Sequence, residues 1–182
     1  MNVQKLEISG LLKIQPNVLG DDRGHFFESY RTDTLKEYGV TEEFVQDNQS
    51  LSGKGILRGL HFQKDPYSQG KLVRVIKGAV LDVALDIRKG SPTYGKHYSI
   101  ELNERNKTMF YVPPGFAHGF LTLEDDTIFA YKCTNYYLKE SEGAILWNSD
   151  SLDIDWGISA PKLSEKDEVA EDFSDFVSPF QL

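Results

Sequence analysis

Two adjacent strand-like runs in the middle of the chain set the fold class. Residues Lys71–Ile76 read KLVRVI, Ala79–Ile87 read AVLDVALDI, and Lys77-Gly78 between them is typical of a turn. The second run alternates, with Asp82 and Asp86 sharing one face with Val80 and Ala84. A strand face that carries two carboxylates either lines a wet cavity or points outward to solvent, and the pattern alone leaves both open.

Further short runs extend this pattern: His97–Leu102, Met109–Val112, Gly119–Leu123 and Ile128–Asn135. Glycine, proline and acidic turns separate them, and alternating βα units are absent, which predicts an all-β sandwich or barrel. One short helix is predicted at Thr34–Tyr38, with Asp33 as N-cap and Gly39 past its end. A second is predicted after Leu163, starting near Ser164. With no repeat or linker, we expect one domain spanning residues 1–182.

Composition excludes several classes of function. The net charge of −8 argues against nucleic acid as the main partner. No stretch is apolar enough to cross a membrane, and no secretory leader begins the sequence, so we expect a cytoplasmic location. The single cysteine, Cys133, cannot form an internal disulfide and is expected to be a small core residue.

Two of the four histidines lie in distinctive segments. His61 is in RGLHFQ, and His118 is in PPGFAHGF, whose Pro-x-Gly-x-x-His pattern resembles the second half of the cupin signature, where the histidine binds a metal. The first half should read His-x-His followed by Glu, but this chain has His61-Phe62-Gln63 with Lys71 soon after. Two imidazoles beside an ammonium make a poor site for a divalent cation, so we predict no metal.

The sequence also lacks the usual motifs of cofactor and nucleophile chemistry. Gly53-Lys54-Gly55 does not have the spacing of a dinucleotide fingerprint, and there is neither a phosphate-binding P-loop nor a Gly-x-Ser-x-Gly elbow. General acid–base catalysis without a cofactor is therefore the class that remains. The cations Arg23, Arg58, Lys71 and Arg74 could hold a diphosphate, although surface ion pairing would explain any one of them equally well.

Eight segments together resemble the dTDP-4-dehydrorhamnose 3,5-epimerase family over nearly the whole chain. They are DDRGHFFESYR (Asp21–Arg31), FVQDNQS (Phe44–Ser50), LRGLHFQ (Leu57–Gln63), QGKLVRVIKGAVLDVALDIR (Gln69–Arg88), VPPGFAHGF (Val112–Phe120), YKCTNYY (Tyr131–Tyr137), SEGAILWN (Ser141–Asn148) and LDIDW with LSEKD (Leu152–Asp167). Their order and spacing carry the resemblance. It implies a cupin-type jelly-roll, or double-stranded β-helix, with a few short helices.

The resemblance also implies a reaction and its catalytic residues. A ketone at C4 of the sugar makes the hydrogens on C3 and C5 acidic, so a base can remove one and an acid can return a proton to the opposite face. By resemblance, His61 is the base and Tyr131 is the acid. Asp167 pairs with the histidine, Lys71 stabilises the enolate oxygen and binds substrate, and Asp82 orients one of these groups.

The resemblance further implies a dTDP-4-keto-6-deoxyhexose substrate and a homodimer. The binding residues it carries over, besides Lys71, are Arg23, Glu28, Gln46, Asn48, Arg58, His118, Tyr137, Glu142 and Lys166. Tyr137 would stack on the thymine ring, and Arg23 and Glu28 would serve the neighbouring subunit's site. Gln49 departs from the pattern, because many relatives have histidine there. We interpret it as a change outside direct substrate contact, and an altered substrate preference stays open as the alternative.

Three alternatives stay open on the sequence alone. A relative with a differently placed acid would invert only C3 or only C5. A metal-dependent cupin enzyme would bind about one metal per chain. A sugar-binding jelly-roll would bind the ligand without turning it over.

Overall fold

The computed structural model describes residues 1–182, which form fifteen short strands, two short α-helices and a 3-10 turn at Lys139–Ser141. The strands are β1 (Asn2–Lys5), β2 (Leu12–Gln15), β3 (Leu19–Asp21), β4 (Gly24–Phe26), β5 (Gln46–Ser52), β6 (Leu57–Gln63), β7 (Lys71–Lys77), β8 (Ala79–Asp86), β9 (Arg88–Lys89), β10 (His97–Asn103), β11 (Met109–Val112), β12 (Phe116–Thr122), β13 (Thr127–Cys133), β14 (Glu142–Ala144) and β15 (Phe180–Gln181). The helices are α1 (Thr32–Lys36) and α2 (Glu165–Glu168).

Two antiparallel sheets make up the body of the protein. The six-stranded sheet has the order β1-β2-β11-β7-β13-β5, and the five-stranded sheet has the order β10-β8-β12-β6-β14. Many neighbours in space are distant in sequence, as in a jelly-roll, and the all-β prediction is confirmed. Two small pairs stand apart from these sheets: the β3–β4 hairpin and the parallel pair β9–β15.

Apolar packing fills the space between the sheets at one end and covers the outside of the five-stranded sheet. The inner cluster joins Val73 and Phe129 of the six-stranded sheet to Val80 and Phe120 of the other. The outer cluster buries the opposite face of the five-stranded sheet under residues that follow β14, including Trp156. The β8 strand is therefore covered on both faces, as expected of a central strand.

This packing decides between the two interpretations of the carboxylates on β8. Asp82 and Asp86 are both completely buried, so the solvated outer face is excluded. Asp86 is held by Arg88 at 2.7 Å, Ser91 at 2.7 Å and Thr93 at 2.6 Å, in a closed polar cluster. Asp82 does not itself line a cavity but bonds to His118, which lines the one between the sheets, whereas Asp86 bonds to no cavity residue. The cavity interpretation therefore holds for Asp82 only, through His118.

The helices and several strand ends differ from the prediction by a few residues. Helix α1 begins and ends two residues earlier than predicted, and its N-cap is Arg31, whereas Asp33 lies in the first turn and accepts a hydrogen bond from the Thr34 amide at 2.7 Å. Strand β12 begins three residues earlier, and β13 ends at Cys133. Helix α2 follows Ser164 as predicted. Neither helix has the length or the apolar character to cross a bilayer.

Candidate active site

A β-bulge in β6 brings Arg58 and His61 to the same face of the strand. Residues three apart normally point to opposite faces. Here Arg58 lies opposite Phe120 and His61 lies opposite His118. Between these two paired positions β6 therefore has one more residue than β12. The extra residue is accommodated at Gly59, which has a φ of +133° and where a Cβ would lie 2.9 Å from the His118 carbonyl oxygen. The bulge turns both side chains toward the space between the sheets.

His61 forms a buried pair with Asp167 of helix α2. Its Nε2 lies 2.5 Å from Asp167 Oδ1, and the other carboxylate oxygen accepts a hydrogen bond from Ser164 Oγ at 2.7 Å. The carboxylate is only 2% exposed, whereas the imidazole is 21% exposed and faces the cavity. Burial by itself would raise the pKa of Asp167, but the hydrogen bonds from His61 and Ser164 hold it below its usual value. The carboxylate therefore stays charged behind the imidazole.

A second histidine–carboxylate pair lies beside the first. His118 Nε2 is 2.8 Å from Asp82 Oδ1, the histidine is 6% exposed, and the other oxygen of Asp82 has no hydrogen-bond partner. Asp82 thus orients His118, as the sequence led us to expect of one group in the site. No group of three or more His, Cys, Asp or Glu side chains is arranged to hold a metal ion.

The opposite wall of the cavity belongs to the six-stranded sheet. Lys71 on β7 lies directly across from Cys133 on β13, and Tyr131, two residues earlier on β13, lies across from Asn48 on β5. Burial lowers the pKa of Lys71, and burial raises the pKa of Tyr131. Cys133 is fully buried, as predicted, and its sulfur accepts a hydrogen bond from Asn48 Nδ2 at 3.6 Å.

The cavity between the two walls has a volume of about 550 Å³ and is lined mainly by polar side chains. It is lined by every catalytic and binding residue that the family resemblance carries over, except Arg23 and Glu28. Asp82 lies behind His118, and Arg74 lines a separate, smaller cavity. The predicted residues that line it are Gln46, Asn48, Arg58, His61, Lys71, His118, Tyr131, Tyr137, Glu142, Lys166 and Asp167. Residues from six strands, one helix and one loop thus converge on a single space.

One end of the cavity carries a half-exposed aromatic ring held by polar neighbours. Tyr137 is 52% exposed, and its hydroxyl donates to Glu142 Oε2 at 3.2 Å. The other oxygen of Glu142 accepts from Lys166 Nζ at 2.6 Å. Burial opposes ionisation of Glu142, but the Lys166 ammonium holds the pKa of that carboxyl below its usual value. The ring is therefore fixed at its hydroxyl end while about half of the residue's surface remains exposed at the cavity.

Arg23 and Glu28 lie away from this cavity within the chain. Arg23 is in the turn of the β3–β4 hairpin and pairs with Asp21, and Glu28 pairs with Arg31 at 3.6 Å. The hairpin exposes Leu19 and Phe26, which are 68% and 67% exposed. Nothing in a single copy of the chain brings these two predicted residues to the other eleven.

Several cavity residues were not predicted from the sequence. They are Gln49, Ser50, Phe62, Gln63, Gln69, Phe120 and Ser164. The alternation of β5 could have identified Ser50, because it shares a face with Gln46 and Asn48. Gln49 was interpreted as lying outside direct contact, but it borders the cavity and also lines a smaller one on the outer face of the same sheet.

Comparison with known proteins gives a consistent result. The family model described as dTDP-4-dehydrorhamnose 3,5-epimerase matches residues 5–175. The dTDP-4-dehydrorhamnose 3,5-epimerase of Shigella flexneri is 50% identical over 176 residues, which cover 96% of this chain and 97% of that protein.

Solved structures agree with the sequence relatives. The crystal structure of the dTDP-4-dehydrorhamnose 3,5-epimerase of Elizabethkingia anophelis superposes with a TM-score of 0.92 at 47% identity, covering 96% of this chain and 97% of the other. The dTDP-6-deoxy-D-glucose-3,5-epimerase of Legionella pneumophila, solved in complex with dTDP-4-keto-L-rhamnose, gives a TM-score of 0.94 at 45% identity, covering 99% and 97%.

Proposed function

The chain belongs to the dTDP-4-dehydrorhamnose 3,5-epimerase family, and we propose that it performs the family's reaction with His61 as base and Tyr131 as acid. The protein is an isomerase. The reaction inverts C3 and C5 of dTDP-4-dehydro-6-deoxy-D-glucose and gives dTDP-4-dehydro-L-rhamnose, a step of dTDP-L-rhamnose biosynthesis. Each inversion removes a proton next to the C4 ketone and returns one to the opposite face of the ring.

The position of the acid and the base on facing sheets is the observation that supports this assignment most strongly. His61 is on β6 of the five-stranded sheet, and Tyr131 is on β13 of the six-stranded sheet, with the cavity between them. A sugar ring lying between the sheets would present one face to the imidazole and the other to the phenol. Inversion requires this arrangement, since removal and return of a proton on the same face would restore the starting centre.

The proton abstraction is assigned to the His61–Asp167 pair. A neutral imidazole accepts the proton and becomes positively charged, and the buried carboxylate at 2.5 Å stabilises that charge as it develops. Asp167 acts through the histidine and is therefore a positioning residue. His118, fixed by Asp82, would lie against the substrate on the same side of the cavity.

Stabilisation of the negative charge on the substrate is assigned to Lys71. Loss of the proton places negative charge on the C4 oxygen, and an ammonium in a partly desolvated site stabilises it more strongly than water would. Tyr131 then returns a proton to the opposite face. Because burial raises the pKa of Tyr131, this phenol stays protonated at neutral pH and is ready to donate.

The remaining polar residues are assigned to the nucleotide. Tyr137 offers a flat surface for thymine stacking, and Arg58 offers a guanidinium to the diphosphate. Gln46, Asn48, Glu142 and Lys166 complete the binding set around them. The substrate class is accordingly a dTDP-4-keto-6-deoxyhexose.

We also propose that residues 1–182 form a single domain that acts as a homodimer in the cytoplasm. The exposed Leu19 and Phe26 of the β3–β4 hairpin support a partner contact, since apolar side chains in such a projection favour burial. A hairpin that reaches the partner would carry Arg23 and Glu28 to the neighbouring cavity. Replacing Arg23 with alanine should then raise the KM in the dimer.

Solvent isotope incorporation tests the reaction directly. The enzyme is incubated with dTDP-4-dehydro-6-deoxy-D-glucose in deuterated water, and the recovered nucleotide sugar is analysed by NMR. The double epimerase incorporates deuterium at both C3 and C5. Label at only one carbon would instead identify a single-centre epimerase, and label at neither carbon would leave the sugar-binding jelly-roll and the metal-dependent cupin enzyme as the interpretations.

A further inference from the structure

Gln63, at the end of β6, lines the cavity but makes no hydrogen bond to His61 or Asp167. It is 5% exposed, and its side chain makes three of its four possible hydrogen bonds, all to backbone groups of loops. Nε2 donates to the carbonyl oxygen of Tyr67 at 2.6 Å and to that of Tyr136 at 3.0 Å. Oε1 accepts from the amide of Leu138 at 2.7 Å.

These contacts bracket Tyr137. Gln63 holds the carbonyl before this residue and the amide after it, and Gln46 Oε1 accepts from the amide of Tyr137 itself at 2.9 Å. The segment that carries the ring has no regular secondary structure, and Tyr136 and Tyr137 are 63% and 52% exposed. Apolar burial therefore contributes little to ordering it, and side-chain hydrogen bonds replace the strand ladder.

From this geometry we propose that Gln63 is a positioning residue that pre-organises Tyr137 for the thymine base. The inference rests on the proposed function, in which Tyr137 is the stacking platform. In the antiparallel pairing of β6 with β14, Gln63 lies directly opposite Glu142, whose carboxylate accepts from the Tyr137 hydroxyl at 3.2 Å. One strand end thus fixes the loop backbone, and its paired neighbour fixes the far end of the ring.

Pre-organisation predicts a specific kinetic and binding signature. When the loop is already ordered, the ligand does not have to restrict its freedom on binding. Loss of Gln63 should therefore weaken dTDP binding and raise the KM, while kcat at saturating substrate stays close to the wild-type value. A general packing defect would lower kcat and thermal stability together, and its effect would not depend on whether the ligand carries thymine.

A double-mutant cycle in the full-length protein tests the proposal, with the Kd of dTDP measured by calorimetric titration. We expect Gln63→Leu to raise the Kd about tenfold, because the ligand must then order the loop that carries Tyr137 when it binds. Tyr137→Ala should raise the Kd at least as much. In the Tyr137→Ala background, Gln63→Leu should change the Kd by less than about twofold, because the residue it positions is gone.

Two further variants keep the test independent of folding. Gln63→Glu preserves size and the acceptor for Leu138 while replacing the donor to Tyr67 and Tyr136 by an oxygen, and it should also weaken dTDP binding several-fold. Gln15→Leu is the matched control, because this glutamine likewise bonds a distant loop carbonyl, that of Asn106 at 2.7 Å, far from the cavity. It should lower the melting temperature and leave the Kd unchanged.

The possible failures are distinguishable. If Tyr137→Ala weakens dTDP binding but both Gln63 variants bind normally, or if Gln63→Leu has the same effect in both backgrounds, the positioning role is wrong and the platform stands. If Tyr137→Ala binds dTDP as tightly as the wild type, the platform assignment in the proposed function is itself wrong, and the role of Gln63 is overturned with it.

Discussion

Replacing Asp167 with asparagine removes the charge behind the base while keeping the size of the side chain. The carboxylate is 2% exposed and lies 2.5 Å from His61 Nε2. Taking about 4 Å between the charge centres and an effective dielectric constant of about 20, a full imidazolium gains about 4 kcal/mol from the carboxylate. With the proton about half transferred, the transition state gains about 2 kcal/mol, which corresponds to a rate factor of about 30.

We therefore expect Asp167→Asn to lower kcat for proton exchange at C3 and C5 about 30-fold or more, with little change in KM. Deuterium incorporation from solvent, followed by NMR, measures this step without requiring complete epimerisation. Glu165→Gln is the matched control, since Glu165 lies two residues earlier on the same helix and is exposed. Exchange within about threefold of the wild-type rate in the Asp167 variant would refute the electrostatic reasoning.

Four other perturbations have expected outcomes. His61→Asn should lower turnover at least ~10²-fold with little change in dTDP affinity; steady-state kinetics with near-normal turnover would contradict its role as base. Tyr131→Phe should impair epimerisation more than solvent exchange, because the first proton transfer does not need the acid; an equal loss of both, measured by NMR, would argue against it. Asp86→Asn should lower the free energy of unfolding by about 3 kcal/mol, because it leaves the Arg88 charge unpaired. Asp47→Asn, at an exposed pair with a lysine, should lower it by less than about 1 kcal/mol. Similar denaturation midpoints for the two variants would be inconsistent with this difference. Because the folded-state pKa of Asp167 lies below 3.8, its pairing stabilises the protein above that pH, and this stabilisation is lost as the pH falls through the folded-state pKa. The difference in melting temperature between wild type and Asp167→Asn should therefore shrink from pH 5 toward pH 2. A difference that stays constant over this range would contradict the prediction.

The fold class, helix α2 and most of the cavity residues could be predicted from the sequence. The alternation in Ala79–Ile87 and the short runs that follow it established an all-β fold, because strand periodicity depends only on successive side chains pointing to opposite faces. Helix α2 was signalled by Ser164 before an acidic turn. Eleven residues of the cavity were found through the order and spacing of motifs rather than through periodicity, which says nothing about which strands face each other.

Only the tertiary structure decided how these residues meet. Arg58 and His61 share a face because one extra residue at Gly59 is absorbed where β6 passes close to β12, and a regular strand would have separated them. His61 and Asp167 are 106 residues apart in sequence, and Gln63 reaches a loop more than 70 residues away. Contacts of this kind depend on strand register and on packing between distant segments, so no local pattern encodes them.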